Sequence, residues 1–260
     1  MIHPLNEVVS NRKYIMISVS EVTKNFDEVQ ALDLQDSLIN IAAGEFITIV
    51  GPSGCGKSTL LRIIAGIISP TSGSVLSKPE RGAFVFQDAA LLPWRNVQRN
   101  AELLMELEDG FSKEVTISRA SSALQQVGLN GFEKSYPHQL SGGMKMRLSL
   151  ARSLVLNPEY LLLDEPLSAV DELTREVLQE EIHALWKKEK FTAILVTHNV
   201  AEAVFLSNRV IVMSPRPGKI THMIDVPFKK RDRLLRSKVQ FTKLVNDISG
   251  KLRTWKGKND

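Results

Sequence analysis

Short apolar runs of two textures divide the chain. Over residues 15–22 apolar positions partly alternate with polar ones, as in a strand with one face on a core, and residues 37–41 repeat the pattern. Phe46, Ile47, Thr48, Ile49 and Val50 are nearly all apolar, which predicts a strand covered on both faces. They lead straight into a glycine-rich turn and a helix-like run at residues 60–67. Between Asp88 and Asn157 the spacing turns helical: Val115, Ala120, Leu124 and Val127 share one face, and residues 144–156 form a second helical run ended by Asn157 and Pro158. Strands resume at residues 160–163, 193–197 and 209–213, with a helix carrying Leu173, Val177, Ile182 and Leu185 between the first two. Strands alternating with helices predict an α/β fold with a mainly parallel sheet, an N-terminal antiparallel β layer and an inserted α-helical subdomain over about residues 88–157.

The ends of the chain read differently. Residues 1–15 show no pattern and are expected to be an extension, with Met16 as an alternative start, so that the main domain spans residues 16–228. In residues 229–260, Leu235, Val239, Leu244, Ile248 and Leu252 recur at near-helical spacing, predicting a helix packed on the body. No internal repeat is present, so one such unit is expected.

Composition narrows the class. With 260 residues and 43% hydrophobic content the chain can bury a large core, which excludes disorder as its main state. No stretch is apolar enough to span a bilayer and the start lacks a secretory pattern, so a cytoplasmic location is expected, with any membrane work done through partners. The single cysteine, Cys55, cannot form an internal disulfide. The net charge of +4 is uneven: residues 229–260 hold eleven Lys or Arg against three acids, leaving the remainder near −4. Such a tail could touch nucleic acid or anionic lipid, but a solvated helix face is the reading adopted, and no nucleic-acid partner is expected.

Two motifs carry chemistry. Gly51-Pro52-Ser53-Gly54-Cys55-Gly56-Lys57-Ser58-Thr59 fits the phosphate-binding loop between an apolar strand and a helix. Its glycines let successive N–H groups turn inward around anionic oxygens, the helix start adds its positive dipole end, Lys57 supplies a full charge, and Ser58 can reach a Mg²⁺ ion. Second, the apolar strand at residues 160–163 ends in Asp164 and Glu165, where parallel sheets place ligand sites. Asp164 is the expected Mg²⁺ partner; Glu165, pointing the other way by strand alternation, could polarise water for attack on a γ-phosphate. Cys55 is expected to be a space-filling residue of the loop and not a redox switch.

The stretch Leu140-Ser141-Gly142-Gly143-Met144, ahead of a helix and of the paired acids, resembles the signature motif of ATP-binding cassette (ABC) proteins. Gln87 resembles the Q-loop, Ser168-Ala169-Val170-Asp171 the D-loop, and His198 the switch histidine, while Phe26 stands where the family stacks an aromatic ring on adenine. The resemblance covers about residues 16–226. It implies a P-loop ATPase using ATP and Mg²⁺, with Lys57, Glu165, His198 and Gln87 catalytic, and Gln87 also near the metal. It further implies a head-to-tail pair in which Ser141, Gly142, Gly143 and Asp171 of one chain complete the nucleotide site of the other. Met144 departs from the family's more usual Gln, as in one importer branch, Met146 stands where that branch commonly has Gln, and Phe26 replaces Tyr; none of these removes a catalytic atom. His3, His138, His183 and His222 are expected to be structural.

The Gln87 to Val97 segment with Leu91, Leu92, Pro93 and Trp94, the lead Tyr136-Pro137-His138-Gln139, and Met213-Ser214-Pro215-Arg216-Pro217-Gly218 look like the nitrate, sulfonate, taurine and bicarbonate importer group. That resemblance implies an energising subunit on the cytoplasmic face of the inner membrane. Its partners would be two permease subunits, a periplasmic or lipid-anchored solute-binding protein, and a second ATP-binding subunit, identical or homologous. Leu91 to Trp94 would face the permease unless Trp94 is a core residue. An importer for another organic solute such as a thiamine precursor, or a soluble ABC ATPase acting on nucleic acid, are the alternatives.

Overall fold

The computed structural model describes residues 14–77 and 81–253. Most of the expected N-terminal extension, His3, and residues 254–260 of the basic tail lie outside them. Tyr14 and Ile15, the last two residues assigned to that extension, already belong to the body: the Tyr14 carbonyl accepts from Ala43 N, and Ile15 opens the first strand.

The N-terminal layer is a four-stranded antiparallel sheet. Its central strand β1 (Ile15–Phe26) pairs with β2 (Val29–Asp33), β3 (Leu38–Ala42) and β5 (Ser72–Ser77). Beneath it lies a six-stranded sheet that includes β4 (Phe46–Val50), β6 (Gly82–Val85), β7 (Tyr160–Asp164) and β8 (Thr192–Thr197). β9 (Arg209–Met213) and the antiparallel edge strand β10 (Ile220–Asp225) complete it in the order β10-β9-β4-β8-β7-β6. All pairs other than β9 with β10 are parallel.

The continuous apolar runs of the parallel strands are explained by what each face meets. Ile47, Ile49, Leu162, Ile194, Val196, Ile211 and Met213 pack toward the N-terminal sheet and helix α1 (Lys57–Ile64). Phe46, Val50, Leu161, Leu163, Ala193, Leu195, Val210 and Val212 pack toward the helices on the other side. Each fully buried aliphatic side chain contributes about 1.5–3 kcal/mol.

Between β6 and β7 the chain inserts α2 (Val97–Leu107), α3 (Lys113–Gln126) and α4 (Gly142–Leu154), which pack on one another. After β7 come α5 (Glu172–Glu189), α6 (Val200–Leu206) and α7 (Val239–Arg253). Side chains of Asn96, Ser112, Ser141, Asp171 and Asn199 cap α2 to α6 by accepting from backbone N–H groups, whereas α1 begins at Gly56 with no side-chain cap.

Three expectations need correction. Val115 is exposed, because α3 turns Thr116, Ala120, Ala123 and Leu124 inward. Leu173 is 79% exposed and Val177 half exposed, because the buried stripe of α5 runs through Leu178, Ile182 and Leu185. In the C-terminal segment Val239 lies exposed at the first turn of α7, while Leu235, Phe241 and Ile248 join the main core. Several tail cations are spent internally: Arg231 donates to Phe205 O, Arg236 stacks 3.8 Å over the Phe205 ring, and Lys230 and Lys251 pair with Asp232 and Asp247. Trp94, by contrast, is 72% exposed and is not a core residue.

Two buried titratable groups set opposite pH responses. Burial, with Arg231 and Lys187 nearby, depresses His183 to about 4, and it sits against Trp186 and Phe205 as a structural residue. Burial raises Glu202 on α6 to about 7 against the lowering effect of the Thr197 hydroxyl, which donates to one carboxylate oxygen at 2.7 Å; the other oxygen has no partner among the described residues. The folded pKa of Glu202 exceeds its ordinary value of 4.5, so its ionisation costs the wild type stability as pH rises through the window from 4.5 to about 7. Glu202→Gln is expected to gain stability relative to wild type across that window, at about 2–4 °C of thermal midpoint per kcal/mol. A midpoint difference between the two proteins that does not change from pH 4.5 to 8 contradicts this assignment.

Candidate functional site

The loop after β4 turns inward through two left-handed glycines, Gly54 (φ 73°) and Gly56 (φ 102°), conformations that side-chain-bearing residues resist. A Cβ on Gly56 would lie 2.7 Å from Leu32 Cδ2 and 2.8 Å from Ala31 O, so the loop is pressed against β2. Cys55 fills the space below, and burial raises its thiol pKa. The uncapped α1 start leaves backbone N–H groups and the positive dipole end open to an anion.

Lys57, buried, donates from Nζ to the carbonyls of Gly51 and Pro52, each at 3.0 Å, and stands 4.0 Å from the Glu165 carboxylate. Next to it the Ser58 hydroxyl donates to Asp164 Oδ1 at 2.7 Å. Two hard oxygen donors so placed fit a Mg²⁺ ion that takes its remaining ligands from phosphate and water.

Glu165 is brought in by a route that strand alternation does not describe. β7 ends at Asp164, and Glu165 adopts a left-handed backbone (φ 44°) while its N–H still donates to Val196 O at 2.9 Å. That turn, unusual for a residue with a long side chain, places its carboxylate 2.9 Å from His198 Nδ1 at the end of β8. Lys57, Ser58, Asp164, Glu165 and His198 therefore form one connected group at the carboxyl edge of the parallel sheet. A cavity of about 510 Å³ opens beside it, lined by Lys57, Ser58, Glu165, exposed Gln87, Phe26 and Val29 among others.

The signature residues stay apart. Ser141 caps α4, its hydroxyl accepting from Met144 N at 3.3 Å. Gly142 lines a different cavity, of about 430 Å³, with Asp88 and Ser168. Gly143 serves packing within the chain, since a Cβ there would lie 2.8 Å from Thr174 Cγ2. Asp171 caps α5, and the N–H of Thr174 holds its carboxyl below the ordinary range. None of these four residues lines the cavity beside Lys57. Ser141 and Gly142 are exposed, so this helix start faces outward with no phosphate loop from its own chain in front of it.

Two arginines escaped the sequence reading of the site. Arg152, buried on α4, donates to Ala89 O at 2.7 Å and Ala90 O at 2.9 Å, tying the signature helix to the segment after Gln87. Arg216 donates to Gly54 O and borders the cavity itself. Both reach backbone carbonyls far away in the chain, a relation no local pattern encodes.

Comparisons with known proteins place the chain in a family. The ABC transporter family model matches residues 34–168. The chain is similar to an aliphatic sulfonates import ATP-binding protein of Bacillus cereus, 41% identical over 220 residues, 80% of this chain and 85% of that one. It is also similar to a taurine import ATP-binding protein of Yersinia pestis, 39% identical over 251 residues, 91% and 97% of the two chains. Among solved structures, a dimeric ATP-binding cassette in a post-hydrolysis state with ADP and phosphate superposes with a TM-score of 0.70 at 31% identity, over 82% of this chain and all of that one. With its P-loop, its paired acids and a cavity beside Lys57 that its own signature helix does not close, the chain belongs to the ABC transporter family and is an ATP-binding cassette ATPase.

Proposed function

We propose that this ATPase energises an importer for a small oxyanion or sulfonate, acting as a pair of cassettes on the cytoplasmic side of two permease subunits that a solute-binding protein supplies. The observation that carries the paired arrangement is the separation within one chain of the Lys57 cavity from the exposed Ser141 start of α4. The similarity to sulfonate and taurine import proteins supports the solute class. Exposed Trp94 beside half-buried Leu91 and Leu92 supports a docking surface for a permease.

In this reading the loop amides and Lys57 hold the β- and γ-phosphates, and Phe26 stacks on the base. Ser58 and Asp164 hold Mg²⁺, which would supply charge neutralisation on the phosphates. Glu165 accepts a proton from the attacking water. His198, bonded to Glu165 through Nδ1, keeps that carboxylate in place and faces the terminal phosphate, while Gln87 lies at the mouth between nucleotide and helical insertion. Ser141, Gly142 and Gly143 of a second copy close over the phosphate, with that copy's Asp171 beside them. Release of phosphate after hydrolysis removes the group both copies grip, and the pair opens.

Glu165→Gln is expected to bind ATP with unchanged affinity, to lose about 10²-fold or more of phosphate-release activity, and to accumulate as an ATP-dependent dimer in light scattering. Turnover at the wild-type rate would remove Glu165 from the water-activating role. For the biological assignment, capture of the chain from detergent-solubilised native membranes is expected to bring down a permease whose solute-binding protein, loaded with a sulfonate, stimulates ATP hydrolysis. Recovery of nucleic acid in place of a permease, released by salt and lost on deleting residues 229–260, would favour an ABC ATPase acting on DNA or RNA.

A further inference from the structure

The turn between β9 and β10 belongs to a segment, Met213 to Gly218, that the functional reading leaves without a task. β9 runs parallel to β4, with Val212 beside Val50, so this turn emerges next to the phosphate loop. It is fastened there from several sides. Gly218 N donates to Ala31 O and Asp33 N to Gly218 O, each at 3.0 Å, while Lys219 Nζ lies 2.8 Å from the Asp33 carboxylate. Ser214 Oγ donates to Pro217 O at 3.1 Å and accepts from Lys219 N at 2.9 Å. A Cβ on Gly218 would lie 2.1 Å from Cys55 O, so only glycine lets the turn sit this close to the loop.

Arg216 thereby lines the cavity together with Phe26, Val29, Ala31, Ser53 and Gly54. Its Nε and Nη2 converge on Gly54 O at 3.2 and 3.1 Å. A guanidinium carries five N–H donors; the other three find no protein acceptor, and no carboxylate pairs with Arg216 among the described residues. Among the charged residues lining the cavity, Lys57 has Glu165 at 4.0 Å, which leaves Arg216 as the cation without a counter-charge. A side chain anchored at both its backbone and its head loses little further freedom when a ligand arrives. Its planar fork suits phosphate oxygens.

We propose that Arg216 is a nucleotide-binding residue whose guanidinium, oriented by the Gly54 carbonyl, contacts the phosphate chain of a bound nucleoside polyphosphate. This rests on the nucleotide reading of the Lys57 cavity and adds to it a cation from outside the phosphate-loop, paired-acid, Q-loop and switch-histidine motifs.

The test is equilibrium titration of Mg-ATP and Mg-ADP into the full chain and its Arg216→Ala, Arg216→Lys and Arg216→Gln variants at low and high salt, with thermal midpoints measured alongside. Arg216→Ala is expected to lose about tenfold or more in affinity for both nucleotides, the value of a charge-assisted phosphate contact. The loss should shrink in high salt, and Lys, which keeps the charge without the fork, should recover part of it while Gln recovers none. Unchanged affinity in Arg216→Ala overturns the proposal. So does recovery by Gln equal to that by Lys, which would make the side chain a neutral fastener of the loop. If Arg216→Ala fails to fold, the contrast between Lys and Gln decides alone. Wild type that binds neither nucleotide would instead sink the nucleotide reading of the whole cavity.

Discussion

Lys57 sits almost out of water with its ammonium on two backbone carbonyls, Gly51 and Pro52, and the Glu165 carboxylate 4.0 Å away. Carbonyl dipoles reduce the cost of burying that charge without cancelling it, and a carboxylate at this distance completes only part of the balance. In the proposed function a nucleotide phosphate in the adjacent cavity supplies the rest. Much of the surrounding structure follows from keeping this cation in place: the left-handed glycines, the uncapped α1 start, and the hairpin turn pressed on Cys55 all hold the loop that holds Lys57.

The parallel sheet supplies the rest by geometry. β4, β7, β8 and β6 all end on one edge, delivering the phosphate loop, the paired acids, His198 and Gln87 to one place from four distant stretches of chain. Two apolar layers clamp these strands from either side, so the edge is rigid where the chemistry requires it. Backbone strain is admitted in and near the proposed catalytic group, at Glu165 and at Ala90, and Arg152 secures the second of these from the signature helix. The signature helix is thus tied to the Gln87 segment of its own chain while its first turn looks away from its own nucleotide cavity. In the proposed pair, the same helix would also meet the nucleotide of the other copy.

Much of this was legible in the residues because it is local. The phosphate loop is nine consecutive residues, Asp164 and Glu165 are adjacent, and β4, β7, β8 and β9 are continuous apolar runs that only a sheet covered on both faces requires. Legibility failed where the determinant was remote or weakly apolar. β2, β5 and β10 lie at or near sheet edges, are short, and carry polar or exposed residues, so their pairing partners and not their composition make them strands. Leu173 and Val177 look like core on a helical wheel, yet α5 buries the neighbouring stripe. Glu165 reaches His198 through a left-handed turn, and Arg152 and Arg216 act on carbonyls 62 or more positions away.

In the proposed mechanism one polypeptide holds an incomplete cage around the nucleotide and a second completes it. The most direct measurement mixes two inactive chains, Lys57→Ala and Ser141→Arg, and follows phosphate release. In a mixed pair the intact loop of one faces the intact signature of the other. Random pairing at equal amounts should therefore restore about a quarter of wild-type turnover, half the pairs carrying one working site of two. No recovery on mixing, or full activity of either variant alone in dilute solution, would contradict it.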